Sequence, residues 1–174
     1  MVVKNRGNAK NNPYAQEPLD LTVSDVLNSK MVASPISLLD CKPVSDGACA
    51  LILAKEEKAK KITNKPIWIK GIGNCYDAHY LGDRDLADCD SLILAARRAY
   101  SMAGITDPRQ EIDLAEISEE YSYQELLWTE GLGFCPRGEG GKLIDSGVTS
   151  MSGRLPVNPS GGVLSGNPSG VAGM

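Results

Sequence analysis

The sequence predicts an α/β fold with a mixed or parallel sheet, and two observations support this class. Three apolar runs have the length and content of buried strands, at residues 48–54, 66–73 and 112–117. Segments with helical apolar spacing or capping signals separate these runs, which is typical of α/β domains. The chain has 174 residues, of which 42% are hydrophobic and 23% charged, so it can bury one sizeable core in a soluble globular protein.

The three strand predictions rest on local composition. Residues 48–54 form a continuous apolar run, as in a strand buried on both faces, although periodicity alone leaves a helix open. Residues 66–73, which include Trp68, are the second strand candidate, and residues 112–117 are the third.

Helices are predicted from capping signals and apolar spacing. The predicted segments are a short helix opened by a capping box at Thr22–Asp25, a charged turn or helix at 55–61, a helix from Asp90 as the cap to about Ala103 with Gly104 at its end, and a helix from a second capping box at Ser122–Glu125 to residues 131–133.

Both ends of the sequence have the character of interior segments. Residues 1–18 are polar and Asn-rich, which predicts the end of a preceding region rather than the start of a domain. Residues 170–173 have the composition of a helix that is just opening. We therefore expect this chain to be part of a longer polypeptide.

Charge and cysteine content exclude several classes of protein. A net charge of −4 and a pI near 5.1 give no reason to expect a nucleic-acid or membrane-surface partner. We find no spanning apolar run and no signal pattern, so the cytoplasm is the expected compartment. The five cysteines lack a Cys-x-x-Cys pair, which argues against a disulfide framework and a zinc site. No metal is predicted.

Residues 157–170 are the most patterned stretch of the chain. The tetrapeptide Asn-Pro-Ser-Gly occurs at Asn158 and again at Asn167. Glycine adopts positive φ without steric cost, so a segment of this composition can position backbone donors and short side chains against a bound molecule. Asn158, Gly161 and Gly162 are therefore candidate substrate-binding residues. A flexible surface tail is the alternative reading. The apolar pair at 163–164 favours a buried anchor.

A second dense polar cluster lies where the third predicted strand meets its helix. Residues 118–123 read Ser-Glu-Glu-Tyr-Ser-Tyr. Chemistry in open α/β sheets gathers beyond the carboxyl ends of strands, near helix N-termini. Ser118 and Glu119 are therefore candidate catalytic residues. Ordinary helix capping is the alternative, and it accounts best for Ser122 and Glu120.

These stretches resemble motifs of the thiolases. Asn158-Pro159-Ser160-Gly161-Gly162 with Gly166-Asn167-Pro168 resembles the Asn-Pro-Ser-Gly-Gly … Gly-His-Pro signature of that family. Residues 45–48 resemble the Asp-Gly-Ala opening of its C-terminal domain, and residues 80–86 and 130–141 resemble segments of its sterol-carrier-protein branch. Benzoylsuccinyl-CoA-type thiolases are similar as well.

The resemblance implies a thiolase-like mixed sheet with helices on both faces. Residues 1–43 would be the end of the thiolase loop domain and a linker. Residues 44–174 would be the C-terminal domain, truncated before its last strands. The resemblance further implies coenzyme A thioesters as substrates without another cofactor, a homodimer or tetramer, and a small zinc-ribbon/OB-fold subunit as a further partner.

The sequence departs from the family at two catalytic positions. The family's catalytic histidine corresponds to Asn167, which has no nitrogen that could accept a proton. The first residue of the family's oxyanion tetrad corresponds to Ser118, which can still donate a hydrogen bond. None of the five cysteines matches either cysteine motif of the family.

Three functions remain open from the sequence. The first is an atypical thiolase, an acyl-CoA C-acyltransferase that cleaves or forms β-oxoacyl-CoA thioesters by cysteine-dependent acyl transfer. The second is a thiolase-like aldolase acting on a hydroxyacyl-CoA, for which Tyr121 and Tyr123 are the residues to watch. The third is a non-catalytic scaffold or lipid-binding subunit. In each case we expect this chain alone to be inactive and poorly stable.

Overall fold

A computed structural model describes residues 1–77, 80, 82, 85 and 87–166 of the chain. The helices are α1 (Val2–Ala9), α2 (Val23–Leu27), α3 (Glu56–Ile62), α4 (Asp90–Ala103), α5 (Pro108–Glu111), α6 (Ser122–Gly131), α7 (Gly140–Asp145) and α8 (Val163–Gly166). The strands are β1 (Met31–Ala33) and β2 (Ile36–Ser37), followed by a 3-10 turn at Leu38–Asp40.

The sheet of the described residues is a small antiparallel pair. β1 and β2 align Met31 with Ser37 and Ala33 with Ile36. The three predicted strands were wrong as elements, because residues 48–54 and 66–73 are irregular and residues 112–117 contribute a single parallel bridge from Ala115 to Val157. A strand requires a paired neighbour. Apolar composition reports the propensity of a segment but not the presence of that neighbour.

Residues 66–73 nevertheless lie against α4. The Cβ that a side chain would add at Gly71 or Gly73 would overlap the backbone carbonyls of Ala99 and Ala95. Glycine at these two alternating positions therefore permits the close approach of the segment to the helix. Residues 66–73, which were predicted as a strand, therefore pack their backbone against α4 at Gly71 and Gly73.

The predicted helices are present, with two caps displaced by one residue. Thr22 and Asp25 form the expected capping box of α2, and Gly104 ends α4 in the left-handed conformation with φ of 76°. Asp90 is the first residue of α4 rather than its cap. In α6 the cap is Tyr121, whose N–H donates to Gln124 Oε1 at 3.1 Å, so the predicted box at residues 122–125 was wrong.

The helix α1 was not predicted, because its sequence carries few apolar residues. Asn5, Arg6 and Ala9 are nevertheless buried on one side of it. The Arg6 guanidinium forms an ion pair with Glu17 at 2.6 Å and also donates to the carbonyl of Cys41. Polar groups can be buried where they find partners, as both terminal nitrogens of Arg6 do, although Arg6 Nε and Asn5 Oδ1 have no hydrogen-bond partner among the described residues.

The compact core joins α1, α2 and α8. Val2, Val26 and Leu164 are buried together, and Met1, Val3, Leu21 and Leu39 pack around them. The prediction of a buried anchor is confirmed, because Val163 is 1% and Leu164 0% exposed. Residues 157–166 are therefore part of the folded body, and the reading of this part as a flexible tail was wrong.

Among the described helices, none combines the length and apolarity that crossing a membrane requires. The described residues also contain no group of three or more His, Cys, Asp and Glu side chains placed to hold a metal ion. All five cysteines carry free thiols.

Candidate functional site

Five polar side chains meet between α1, α6 and the loop before α8. They are Lys4, Asn5, Glu119, Glu125 and Asn158, which we call the carboxylate cluster. All of these side chains except that of Lys4 are completely buried, and the Lys4 side chain is 11% exposed. The cluster brings residues from both ends of the described chain against residues 115–125.

Glu119 accepts hydrogen bonds from three directions. Asn5 Nδ2 donates to its Oε1 at 3.1 Å, and Asn158 Nδ2 donates to its Oε2 at 2.8 Å. The backbone N–H of Leu164, at the start of α8, donates to Oε1 at 3.2 Å. All three donors are uncharged, so no cation contacts this carboxyl in the cluster.

Glu125 has the same two amides and a cation. Asn5 Nδ2 and Asn158 Nδ2 donate to its Oε2 at 2.7 and 3.1 Å. Lys4 Nζ lies 2.8 Å from its Oε1 and also donates to the Val157 carbonyl at 2.6 Å. Lys4 thus balances the charge of Glu125 and ties it to the segment that precedes Asn158.

Burial raises the pKa of Glu119 to about 7, with the negative charge of Glu125 acting in the same direction. The hydrogen bonds from Leu164 N–H and from Asn5 act in the opposite direction, because they stabilise the ionised form. Glu119 is therefore a carboxyl that can hold or release a proton near neutral pH.

Asn158 connects this cluster to the chain segment before Glu119. Its Oδ1 accepts from the N–H of Ile117 at 2.8 Å, and its own N–H donates to the Ala115 carbonyl at 2.8 Å. Its φ is 53°, a left-handed conformation that asparagine tolerates better than most residues. Asn158 thereby joins residues 115–117 to the two carboxyls, through its backbone N–H and through both polar atoms of its side chain.

The two glycines that follow are buried within the same junction. Gly161, with φ of 105°, lies where an added Cβ would approach the Ala9 Cβ of α1 to 2.6 Å. Gly162, with φ of 66°, lies where an added Cβ would overlap Glu119 Oε1 and approach Asn158 Nδ2 to 2.7 Å. Their backbones pack on α1 and Glu119, and a role in substrate binding stays a prediction.

The other predicted residues lie at the surface beside this cluster. Ser118 is exposed, and its carbonyl accepts from Trp128 Nε1 at 3.0 Å. The rings of Tyr121 and Tyr123 stack with centroids 6.0 Å apart and are 38% and 45% exposed. One short segment therefore presents a hydroxyl and two aromatic rings outward while Glu119 points into the protein.

Asn167, the residue predicted at the family's histidine position, lies outside the described residues. The motif at 80–86 lies partly outside them. The structure therefore brings together Glu119, Asn158 and Gly162 from the predicted set, with Ser118 next to Glu119 in the chain.

Sequence reasoning missed Lys4, Asn5 and Glu125, but one signal for them exists. Asn5, Asn8 and Asn12 recur at intervals of three and four residues, the spacing of one helix face. Asn8 Nδ2 donates to the Asn158 carbonyl and Asn12 Nδ2 to the Ser160 carbonyl, each at 3.0 Å. The spacing of these asparagines therefore indicates one face of a helix. In the structure, the amides of Asn8 and Asn12 donate to backbone carbonyls.

Comparison with known proteins identifies similar chains. Residues 73–174 match the family described as thiolase C-terminal domain-like. An acetyl-CoA acetyltransferase of Methanothermobacter thermautotrophicus is 43% identical over 99% of this chain and 45% of its own length. Benzoylsuccinyl-CoA thiolase subunit BbsB of Thauera aromatica is 36% identical over the same shares. The chain thus spans about half the length of these curated relatives.

Solved structures agree with this result. A structure described as an Ltp2-ChsH2(DUF35) aldolase superposes with a TM-score of 0.84 at 33% identity, over 94% of this chain and 44% of that one. A monomeric SCP2-thiolase-like protein of Mycobacterium smegmatis gives a TM-score of 0.64 at 16% identity, over 96% of this chain and 35% of that one, which speaks for the fold alone. The predicted thiolase-like α/β fold class is confirmed.

Proposed function

We propose a function from one premise: the chain belongs to the thiolase C-terminal domain-like family, as its motifs predicted. The proposal is that it forms part of an atypical thiolase, an acyl-CoA C-acyltransferase that cleaves or forms β-oxoacyl-CoA thioesters. Two relatives named as an acetyl-CoA acetyltransferase and a benzoylsuccinyl-CoA thiolase subunit support this reaction class.

The observation that carries the proposal is the exposed Ser118 directly beside the buried Glu119–Asn158 contact. A thioester carbonyl gains negative charge on its oxygen when a nucleophile attacks it, so a fixed hydrogen-bond donor stabilises the transition state. The Ser118 hydroxyl is a group that can donate such a hydrogen bond. The hydrogen bonds of Glu119 to Asn158 and to the Leu164 N–H hold the segment that carries Ser118 against the loop that leads toward Asn167.

Asn167 is proposed to orient or donate to a substrate oxygen at the position where the family carries histidine. It cannot accept the proton of a nucleophilic thiol, because an amide nitrogen is not basic. The cysteine nucleophile of the proposed acyl transfer is assigned to a region of the protein outside residues 1–174. This chain alone is therefore expected to have no thiolase activity.

The partners follow from the same proposal. Coenzyme A and its thioesters are the substrates, and no further cofactor takes part. The whole protein is a homodimer or tetramer in the cytoplasm. An additional partner subunit is supported by the aldolase structure, whose description names a DUF35 component. The resemblance to the thiolases implies that this subunit is a small zinc-ribbon/OB-fold protein.

A thiolase-like aldolase is the second candidate, and the TM-score of 0.84 to an aldolase favours it. In this reaction the hydroxyl of a hydroxyacyl-CoA loses its proton and becomes the carbonyl of one product as the carbon–carbon bond breaks. The electron pair of that bond forms the enolate of a shorter acyl-CoA, which then takes up a proton at its α-carbon. The exposed Tyr121 and Tyr123 pair supplies phenol groups that can donate or accept a proton there.

An assay of the whole protein separates the two reactions. Thiolysis consumes one free coenzyme A for each β-oxoacyl-CoA cleaved, whereas retro-aldol cleavage of a hydroxyacyl-CoA needs none. Cleavage that depends on added coenzyme A supports the thiolase. Cleavage that proceeds without it supports the aldolase, and cleavage of neither substrate class excludes both.

Ser118→Ala tests the proposed donor. Removal of one oxyanion donor is expected to lower kcat by about 10²–10³-fold with little change in stability. Ser122→Ala is the matched control, since Ser122 Oγ donates to Asp40 at 2.7 Å and has no assigned role in the reaction. Equal kcat values for the two variants would remove Ser118 from the site.

A further inference from the structure

Two carboxylates are buried together in the carboxylate cluster, and the cation in ion-pair contact with them, Lys4, pairs with Glu125 rather than with Glu119. We propose that Lys4, Asn5 and Glu125 are positioning residues that keep Glu119 as the proton-exchanging carboxyl of this site. The inference deepens the proposed function and rests on it for its catalytic meaning. Its test, however, requires no substrate.

The geometry of the two amides sets the arrangement. The Nδ2 atoms of Asn5 and Asn158 each donate to Glu119 and to Glu125, at distances between 2.7 and 3.1 Å. Each NH₂ group has two protons and therefore bridges the two carboxyls. The carboxyls are fixed side by side, with their shared donors between them.

The charges then distinguish the two carboxyls. From α1 the charged groups are Lys4, which contacts Glu125 rather than Glu119, and the Met1 ammonium, on which the charge of Glu125 acts. From α6 the charged group is Glu125 itself, which repels the ionised form of Glu119. The loop and α8 contribute Asn158 Nδ2 and the Leu164 N–H, both uncharged. Protonation of Glu119 therefore relieves the uncompensated charge at the lowest cost.

This arrangement couples the proton to the loop. Glu119 Oε1 accepts the N–H of Leu164, and a hydrogen bond to an ionised carboxylate is stronger than one to a neutral carboxyl. Loss of a proton from Glu119 thus tightens the attachment of the segment that leads toward Asn167. Uptake of a proton loosens the same attachment.

The experiment follows the side-chain carboxyl ¹³C signal of Glu119 as a function of pH. Lys4→Met removes the cation that offsets the charge of Glu125, so the Glu119 pKa is expected to rise by about one unit or more. Glu125→Gln removes the neighbouring anion, and the Glu119 pKa is expected to fall by a similar amount. Lys4→Arg keeps the charge and is expected to restore the wild-type titration.

Opposite shifts separate positioning from a general loosening of the fold. Water that enters a loosened cluster would move the pKa of Glu119 toward its ordinary value in both variants, and this outcome would overturn the proposal. Asn5→Ala is a second test that keeps every charge. The loss of a donor to the ionised form is expected to raise the pKa, and a fall would contradict the assignment.

Lys142→Met is the matched control, because it removes an exposed lysine that pairs with Glu139 at 2.6 Å on the surface. It is expected to leave the Glu119 titration unchanged. The outcome is also independent of activity. If the pKa shifts occur as expected but the protein cleaves neither substrate class, the positioning role is retained and the proposed reaction is rejected. If the enzyme is active but the Glu119 pKa does not shift in the variants, the positioning role is rejected and the proposed reaction is retained.

Discussion

The carboxylate cluster and the apolar runs at residues 48–54 and 66–73, which we call the apolar segment, reverse the usual relation between polarity and burial. Glu119 and Glu125 are 0% exposed, whereas Ile52 and Ile67 are each 93% exposed. Both regions contain the residues on which the sequence reading placed most weight.

The difference teaches that the available partners, not composition, decide burial. Two carboxylates can be buried because Lys4, Asn5 and Asn158 satisfy them with hydrogen bonds and one ion pair. The apolar segment approaches α4 at Gly71 and Gly73, whereas Ile52 and Ile67 remain exposed. Substitutions in the two regions are therefore expected to have very different effects on stability.

The largest effect is expected from Gly162→Ala, which strikes the cluster directly. The new Cβ would overlap Glu119 Oε1 and strain a backbone with φ of 66°. Displacing a buried, hydrogen-bonded carboxylate is expected to lower the free energy of unfolding by about 4 kcal/mol or more. Urea denaturation measures this loss.

Gly138→Ala is the matched control, because Gly138 has a similar φ of 82° but no atom within 4 Å of an added Cβ. Its loss is expected to be only the backbone cost of about 1–2 kcal/mol. Similar losses in the two variants would mean that the contact with Glu119 contributes nothing.

The second effect is a dependence of stability on pH. The pKa of Glu119 is raised from an ordinary value of 4.5 to about 7 in the folded protein. Between these values the folded state binds more protons at Glu119 than the unfolded state does, so the stability that Glu119 contributes is fully present below pH 4.5 and falls as pH rises toward 7. Above pH 7 this contribution is level. The total loss is about 3 kcal/mol.

Glu119→Gln removes the titrating group, so this fall between pH 4.5 and 7 is expected to be absent in the variant. Urea denaturation at pH 4.5, 6 and 8 provides the comparison. Glu139→Gln removes a carboxylate that precedes α7 and whose side chain is 42% exposed, and this variant is expected to retain the slope. An unchanged slope in Glu119→Gln would assign the pH dependence to other groups.

The smallest effect is expected in the apolar segment. Ile52→Ser exchanges a large apolar side chain for a small polar one, but at 93% exposure it removes few contacts. The free energy of unfolding is expected to change by less than about 0.5 kcal/mol. A loss comparable to that of a core truncation, about 2–5 kcal/mol, would mean that this segment is packed in solution.

The sequence determined the local features of this protein. It located α2, α4 and α6 to within a residue at their caps, because capping residues, helical apolar spacing and Gly104 act on the chain nearby. It also singled out Glu119 and Asn158, because their motifs lie in continuous stretches. The likeness to the thiolases came from the same continuous stretches.

Only the tertiary structure decided which of these residues meet. Asn5 lies 114 residues from Glu119 and 120 from Glu125 in the sequence, so no local pattern could pair them. The same reason explains why residues 48–54 were misread as a strand. A hydrogen bond across the fold requires a partner at a defined place, and that place is fixed by packing rather than by the residues on either side.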